Sequence, residues 1–370
     1  MESPPDAYLR LHRVCQCSPA VTPRTDDPSA SAAAVLPLAC CSGASSKAGP
    51  AGGGSAAGEG RAGCGWFFDE RMIAHPHWTE RPERLSTIAK RLDEAGLAKQ
   101  LAPIKALADP LPRVAAVHTR AHIDAIRAIP ETGPAAALAV AGALGAVKAA
   151  CDGSVRRAWC AIRPPGHHAE NSGYEEGFCF YCNAAIAARY AQRELGVKRV
   201  LIVDWDYHHG NGTEAVFYSD PSVLFFSTHD WRAYPGTGDP TRVGAGAGRG
   251  FNINIHMECG SDDDAFCRVF DERLRPAADA FKPELVLISA GFDSKRGDEL
   301  GCFDLTPCGF SKLTRRVMDI ADAHARGRLV SLLEGGYSDR GSLPERYDGL
   351  ARSVEAHVAT LLSGSVQSCA

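Results

Sequence analysis

The chain has 370 residues, of which 45% are hydrophobic and 23% charged, so it can bury a large core in one domain with an appendage. Lys and Arg total 40 against 44 Asp and Glu, and a formal net charge of −4 offers no basic field to nucleic-acid backbone. No apolar run approaches the roughly 18 residues that span a bilayer. We therefore expect neither direct nucleic-acid binding nor a membrane-embedded segment.

Residues 1–62 are rich in Ala, Gly, Ser and Pro. This composition predicts a disordered leader, because burial of these residues cannot offset the conformational entropy lost on ordering. Arg10, Arg13 and Arg24 are typical of an organellar transit peptide, but four acidic residues in the same stretch are not. An untargeted tail stays the alternative. The compartment is thus intracellular by expectation, with cytoplasm, nucleus, chloroplast and mitochondrion all open.

The 14 cysteines are scattered along the chain, several of them in apolar runs, and no secretory signal precedes them. A disulfide framework is typical of short secreted chains, whereas intracellular thiols stay reduced. We therefore predict reduced cysteines.

From residue 66 onward, short β-branched apolar runs alternate with amphipathic helical stretches, as in the runs 200–203 and 285–288 and the helix 183–195. This alternation predicts a single-domain α/β fold, a parallel sheet with helices on both faces. Further strands are predicted at 158–162, 223–226, 250–255 and 328–333. Each is followed by polar or glycine-rich sequence, and ligands bind at the carboxyl ends of such strands. The polar clusters are therefore expected to meet in one crevice.

The first cluster follows the strand that ends at residue 162 and places His167 and His168 side by side in a turn containing proline and glycine. Histidine titrates near neutral pH, so two adjacent imidazoles suit proton transfer. A surface pair of histidines is the alternative when the motif is taken alone.

The second cluster follows the run 200–203 and sets Asp204, Asp206 and His208 at alternate positions, which face the same side of an extended strand end. Asp and His are ligand types that catalytic zinc accepts, and a third protein ligand leaves one coordination position open. Asp293, which follows the run 285–288, is the candidate for it. Taken singly, each would be interpreted as a surface residue, but together they predict a metal site.

The last cluster is Glu-Gly-Gly-Tyr, which follows the strand predicted at 328–333. The Tyr337 hydroxyl could donate a hydrogen bond to a developing oxyanion. A packing role is the alternative for this tyrosine alone.

With these segments in this order, the chain resembles the histone deacetylase family. Its motif sequences are most similar to those of the class II and acetylpolyamine-amidohydrolase-like branches. The resemblance extends from Phe67 to Leu361 and rests on Arg-Pro-Pro-Gly-His-His, Asp-Trp-Asp-Tyr-His-His-Gly-Asn-Gly-Thr, Ala-Gly-Phe-Asp and Glu-Gly-Gly-Tyr. It implies an arginase/deacetylase-like catalytic domain over residues 63–370. It also implies zinc-dependent hydrolysis of acetyl-lysine side chains in histones or other proteins, and hence a role in chromatin regulation.

By this resemblance, Asp206, His208 and Asp293 bind one Zn²⁺ ion that polarises the amide carbonyl and activates water. His168 is then the general base and later the general acid. His167 is its partner, and Asp204 orients that imidazole.

Asn211 lies where some relatives keep an aspartate beside the second histidine, so the two histidines should differ in basicity. Tyr337 matches the tyrosine of the family's oxyanion site, and its presence implies measurable hydrolysis.

The resemblance also implies a structural K⁺ ion held by Asp204, Ser227 and Thr228. Phe178 and Tyr234 match the aromatic walls of a tube for an extended acyl-lysine, and Gly177 leaves room for it. Polyamine-preferring relatives carry a glutamate where this chain has Leu300, although Glu299 is adjacent.

Two features depart from the family pattern or compete with it. Where relatives carry a longer loop with an acidic residue that grips the substrate backbone, residues 130–134 alone remain, with Glu131 as its only acidic residue. Cys179 and Cys182 have the spacing of a redox pair, but the family has a cysteine at the first position for packing.

Three alternatives to a protein deacetylase remain: an acetylpolyamine or small-acylamide hydrolase, a weakly active acyl-lysine reader or scaffold, and a binuclear manganese ureohydrolase. A binuclear manganese ureohydrolase would require the motif Asp-x-His-x-Asp, whereas the chain has Asp-x-Asp-x-His. The expected partner is an acetylated protein or peptide, with acetylpolyamine as the second choice. The sequence leaves the oligomeric state open.

Overall fold

The computed structural model describes residues 62–341 and 346–367. The disordered leader predicted for residues 1–62 lies outside the described residues, except that Ala62 already belongs to the first strand.

Eight strands form one sheet in which every adjacent pair is parallel, in the order β2-β1-β3-β8-β7-β4-β5-β6. The strands are β1 (Ala62–Phe67), β2 (Ala102–Pro103), β3 (Val155–Cys160), β4 (Val200–Asp204), β5 (Val223–His229), β6 (Asn252–His256), β7 (Leu285–Ala290) and β8 (Leu329–Leu333). The predicted parallel α/β fold is confirmed.

Ten α-helices connect and cover the strands within the described residues. They are α1 (Glu83–Glu94), α2 (Leu111–Val114), α3 (Arg120–Arg127), α4 (Thr132–Asp152), α5 (Asn183–Glu194), α6 (Asn211–Phe217), α7 (Asp263–Val269), α8 (Arg275–Phe281), α9 (Pro307–His324) and α10 (Asp348–Ser363). Helices α4 and α5 pack together, and α10 packs against both α1 and α9. These two groups supply the helical layers on the sheet.

The central strands β4, β5, β7 and β8 are buried at every position. A strand covered on both faces reads as a continuous apolar run, which is why these four were predicted from sequence. Burying each Val, Leu or Ile side chain contributes about 1.5–3 kcal/mol. Strands β1 and β2, the last two at one side of the sheet, were not predicted, because neither has a β-branched run and their strand geometry depends on pairing with β3 and with each other.

Parallel pairing brings the carboxyl ends of the central strands to one edge of the sheet. Asp204, the last residue of β4, lies opposite Ser227 of β5 and Ser289 of β7. Ala290, the last residue of β7, lies opposite Leu333 of β8. The segments that follow these strands therefore start side by side, as the sequence predicted.

Helix α4 corrects the expectation that no segment is long and apolar enough to span a membrane. By length and composition its 21 residues could do so, but 67% of its most apolar window is buried inside the molecule. Gly142 and Gly145 let it approach closely, since a Cβ would lie 2.1 Å from the Phe67 ring at the first and 2.1 Å from the Lys105 carbonyl oxygen at the second. Its apolar composition follows from this packing.

The reduced state of the cysteines stays a prediction, and the structure brings one pair of them close together. Cys259 and Cys302 lie in the loops that follow β6 and β7, with their Cα atoms 5.1 Å apart. The two residues are 43 positions apart in the chain, and tertiary contact between the loops brings them together. Six cysteines of the described segments are free, among them Cys179 and Cys182.

Candidate metal centre

Asp206, His208 and Asp293 converge at the carboxyl ends of β4 and β7. Their ligand atoms all lie within 4.8 Å of one another, and all three residues are buried. His208 Nδ1 lies 3.2 Å from Asp206 Oδ1 and 3.0 Å from Asp293 Oδ2. The three side chains predicted as metal ligands therefore face one point.

Backbone amides hold both carboxylates in place. The Tyr207 amide donates to Asp293 Oδ1 at 2.8 Å, and the Gly335 amide donates to Asp206 Oδ2 at 2.8 Å. Gly335 is required by sterics, since a Cβ there would lie 2.3 Å from Asp293 Oδ2 and 2.6 Å from Asp206 Oδ2. The glycine of the Glu-Gly-Gly-Tyr segment thus makes room for the two carboxylates.

The electrostatics of this cluster fit a cation. Burial and the neighbouring Asp206 carboxylate raise the pKa of Asp293 to about 7. Burial lowers the pKa of His208, but hydrogen bonds to Asp206 and Asp293 outweigh it and raise that pKa to about 9. Two buried carboxylates in contact repel each other and attract protons or a cation. Two carboxylates and one imidazole form a donor set that Zn²⁺ accepts, so the residues fit the expected ion.

The tandem histidines lie beside this cluster in opposite electrostatic settings. His167 Nδ1 lies 3.1 Å from Asp204 Oδ2, and although burial lowers its pKa, Asp206 and Asp204 raise it well above the usual value. His168 Nδ1 lies 2.8 Å from the side-chain oxygen of Asn211, and burial together with the neighbouring imidazoles lowers its pKa well below the usual value. The two imidazoles thus differ in basicity, and the structure supplies the direction that the sequence left open.

Tyr337 follows β8 and lies against the same cluster, with only 3% of its surface exposed. Its ring is 5.7 Å from the Phe178 ring, and the Arg84 guanidinium lies 5.1 Å from its centroid. Burial raises the pKa of its hydroxyl well above 10, so the group stays protonated and can donate a hydrogen bond.

Phe178 is presented by a tight hairpin. Glu176 and Cys179 exchange backbone hydrogen bonds of 3.0 and 2.9 Å, and the two residues between them, Gly177 and Phe178, have φ of +54° and +69°. A two-residue turn of this kind needs positive φ at both central positions, and a bulky residue there is strained. Such strain is typical of functional sites.

The second predicted wall is close to the histidines. The Tyr234 ring is 5.0 Å from the His168 ring and 6.4 Å from the His208 ring. A Cβ at position 177 would lie 2.4 Å from His168 Cδ2 and 2.6 Å from Tyr234 Cε1, so Gly177 keeps this space open.

The remaining predicted residues of this region are Leu300 with its neighbour Glu299, and the pair Cys179 and Cys182. Leu300 is partly exposed, and its amide donates to Asp298 Oδ1, whereas the Glu299 carboxylate accepts from the Ser338 hydroxyl. Cys182 is buried with its pKa raised to about 12. Burial likewise raises the pKa of Cys179, so neither thiol has the thiolate character that redox chemistry needs.

The shortened loop at 130–134 leads directly into a helix. Helix α4 already begins at Thr132, whose hydroxyl lies 2.9 Å from Nδ1 of the buried His75. Glu131 lies at the N-cap position of this helix with a φ of +53°, makes no side-chain capping hydrogen bond and is exposed to solvent.

The residues expected to hold K⁺ lie beneath the cluster. Asp204, Ser227 and Thr228 are each fully buried, and Asp204 pairs with Ser227 across β4 and β5. The Ser227 hydroxyl lies 2.7 Å from His229 Nδ1, and the Thr228 hydroxyl donates to the Asp204 carbonyl at 3.5 Å.

Two positioning residues, Glu334 and Arg84, received no individual role from the sequence. The buried Glu334 carboxylate accepts from the amides of Gly166 (2.7 Å) and His167 (3.2 Å) and from the Ser289 hydroxyl (2.9 Å). Burial raises its pKa to about 7. Arg84 donates to the Glu334 and Gly336 carbonyls, both at 2.5 Å, and pairs with Glu80. Only the fold reveals the contacts with the Gly166 and His167 amides and with the two carbonyls, because those partners are 167 to 252 positions apart.

Comparisons with known proteins agree with this geometry. Residues 77–360 match the family model described as histone deacetylase domain. A crystal structure titled as the HD domain of HDA15 is 35% identical, with a TM-score of 0.75 over 83% of this chain and 91% of that one.

Two relatives show how far the similarity extends. A probable deacetylase of Archaeoglobus fulgidus is 37% identical over 76% of this chain and 83% of that protein. Histone deacetylase 10, chloroplastic, of Oryza sativa is 48% identical over 48% of this chain and 40% of that protein.

Proposed function

Because the chain belongs to the histone deacetylase family, a family of hydrolases that remove acetyl groups, we propose that it is a zinc-dependent deacetylase of acyl-lysine side chains in proteins. The observation that carries the proposal is the convergence of Asp206, His208 and Asp293 beside two histidines and a tyrosine. Asp206, His208 and Asp293 would hold one Zn²⁺ ion, which when bound supplies a Lewis acid for the amide carbonyl and for water.

His168 is the residue that moves the proton in this proposal. In its neutral form, Nδ1–H donates to the Asn211 side-chain oxygen, which leaves Nε2 free to take a proton from water. The proton then passes to the departing lysine amine, and the products are acetate and free lysine. His167, held by Asp204, lies next to the reacting groups, where an imidazolium would favour the anionic transition state.

Tyr337 donates its hydroxyl proton in a hydrogen bond to the developing oxyanion, since burial keeps that hydroxyl protonated. Phe178 and Tyr234 form apolar walls that admit a neutral acylamide in preference to a free ammonium, whose desolvation is costly. Leu300 lies at the position where polyamine-preferring relatives have a glutamate, which supports a protein substrate.

We also propose a structural K⁺ ion bound through Asp204, Ser227 and Thr228, supported by their burial and adjacency. For the compartment, we propose an intracellular location. The chloroplastic name of the rice relative makes the chloroplast the first compartment to test.

The deciding experiment is turnover of an acetyl-lysine peptide by native protein with Zn²⁺, compared with Tyr337→Phe. Loss of one oxyanion donor should lower kcat by about 10²–10³-fold. Tyr190→Phe, which removes a hydroxyl from a buried tyrosine of α5, is the matched control and should retain native kcat. If native protein is as inert as Tyr337→Phe, the proposal fails and an acyl-lysine reader replaces it.

A panel that pairs the peptide with acetylspermidine and acetylputrescine decides between the two substrate classes. Preference for the acetylpolyamines would keep the chemistry but overturn the protein substrate.

A further inference from the structure

The three large hydrophobic side chains exposed within the described residues are Trp78 (87%), Tyr174 (66%) and Val366 (41%). Isolated exposed apolar residues are ordinary and need no explanation. Trp78 and Tyr174, however, are linked to the site. His77 and Glu175 contact each other, and Trp78 is the sequence neighbour of His77 as Tyr174 is of Glu175.

That contact places both aromatics at the entrance to the tube. His77 Nε2 lies 3.3 Å from Glu175 Oε1, and the His77 ring is 4.7 Å from the ring of Phe178, the tube wall. Trp78 follows His77, and Tyr174 precedes Glu175. We call residues 77–78 and 170–176 the mouth.

The backbone under the mouth is firmly held, although the two aromatic rings are exposed. The Gly173 amide donates to His122 Nδ1 at 3.0 Å, and the Asn171 side chain accepts from the Thr119 amide at 2.6 Å. Arg81 donates to the Trp78 carbonyl at 2.9 Å. Among the residues that the structure describes, no other ring stacks on Trp78 or Tyr174. The mouth is thus a fixed backbone that presents two uncovered aromatic faces.

The part of the mouth formed by residues 170–176 is also acidic. Residues 170–176 contain Glu170, Glu175 and Glu176 and no lysine or arginine. Glu170 and Glu176 bind neutral donors, the Asn211 side-chain amide and the Glu170 backbone amide, so these contacts leave their charge uncompensated. Aromatic faces beside carboxylates attract cations, through the ring quadrupole and through Coulomb attraction.

Resting on the proposed deacetylase function, we propose that the mouth selects acyl-lysines that have lysine or arginine as sequence neighbours, with Trp78 and Tyr174 stacking on the neighbouring cation. The acyl-lysine occupies the tube while the cationic neighbour stays outside it. The mouth would thereby provide the substrate contact that the shortened loop at 130–134 lacks.

The test uses peptides that differ only beside the acetyl-lysine, with arginine, glutamine or glutamate there, and a blocked acetyl-lysine without neighbours. Native protein should prefer the arginine to the glutamine peptide in kcat/KM, with glutamate poorest. Trp78→Ala and Tyr174→Ala should each reduce the arginine-to-glutamine ratio by roughly two- to fivefold, the size of one exposed cation–π contact. The change should appear in KM, because the contact is made equally in ground and transition states.

Val366→Ala removes the third exposed hydrophobic, which lies after α10, and should leave the ratio unchanged. Trp78→Phe should retain much of the native arginine-to-glutamine ratio of kcat/KM, because an aromatic face is kept. Equal ratios in native protein, Trp78→Ala and Tyr174→Ala would overturn the inference. If blocked acetyl-lysine is turned over while no preference appears, only this inference fails; if no substrate is turned over, the proposed function fails as well.

Discussion

The floor of the candidate site, which consists of Asp206, His208, Asp293, His167 and His168, differs from the mouth in the exposure of its side chains. Its residues are at most 5% exposed, and backbone amides or neighbouring side chains fix each polar group. The mouth has a fixed backbone too, but its aromatic rings face solvent.

This difference separates chemistry from selection. A metal site and a proton relay need donor atoms held within about 0.5 Å, which only a buried, hydrogen-bonded shell provides. Recognition of a substrate segment needs accessible surface instead. Changes in the floor should therefore alter turnover or stability, while changes in the mouth should alter preference.

The largest effect is expected from Asp293→Ala, which removes one ligand from the floor. We expect the native chain to bind one divalent ion and the variant to bind none, with deacetylation lost, because two remaining ligands cannot hold a catalytic zinc. Metal analysis after gel filtration, together with peptide turnover, measures both.

Asp264→Ala, an exposed aspartate of α7, is the control and should keep both metal and turnover. Two ions per native chain would revive the binuclear ureohydrolase. Retention of the ion by Asp293→Ala would contradict the ligand assignment.

A smaller effect is expected at Glu334, which supports the floor without being part of it. Glu334→Ala leaves the amides of Gly166 and His167 without their acceptor, so the tandem-histidine turn should lose its position. We expect kcat to fall about 10–100-fold, the usual size of such supporting contacts, with KM and metal content nearly unchanged.

Glu334→Gln keeps an acceptor oxygen and should recover most of kcat. Ser289→Ala, which removes only one partner of the carboxylate, should cost less than Glu334→Ala. Native kcat in Glu334→Ala would refute the positioning role, and a Gln variant as slow as the Ala variant would show that charge rather than hydrogen bonding matters.

The smallest effect is expected in stability, from a histidine packed under the floor. His357 is buried among the rings of Trp159, Trp205 and Phe292, and burial lowers its pKa to about 3. Below pH 6.5, His357 is protonated in the unfolded chain but stays neutral in the folded chain. Stability should therefore fall on acidification by up to about 1.4 kcal/mol per pH unit from this residue, whereas no such loss arises above pH 6.5.

Urea unfolding at pH 7, 6 and 5 tests this, with the free energy of unfolding compared between native protein and His357→Gln. The variant should be less stable at pH 7, because Thr314 and Ser331 lose their imidazole partner, but its stability should depend less steeply on pH. Parallel pH curves for native protein and His357→Gln would rule out the linkage.

The sequence by itself determined the fold class and the members of the floor, because both are written in local patterns. Runs of β-branched residues at 200–203 and 285–288 predicted buried parallel strands, and parallel strands necessarily bring the segments after them to one edge. Asp206, His208 and Asp293 each follow such a strand. Motif order then supplied their roles by resemblance.

Only the tertiary structure decided the contacts between parts of the chain that are distant in sequence. Glu334 reaches the tandem histidines from 167 or more positions away, Cys259 meets Cys302 across two loops, and Trp78 joins Tyr174 at the mouth through His77 and Glu175. None of these contacts has a periodic or local signal in the sequence, since each depends on how two segments, anchored in different parts of the fold, pack against each other. Local preference fixes which residues form strands and turns, and packing alone fixes which of those turns meet.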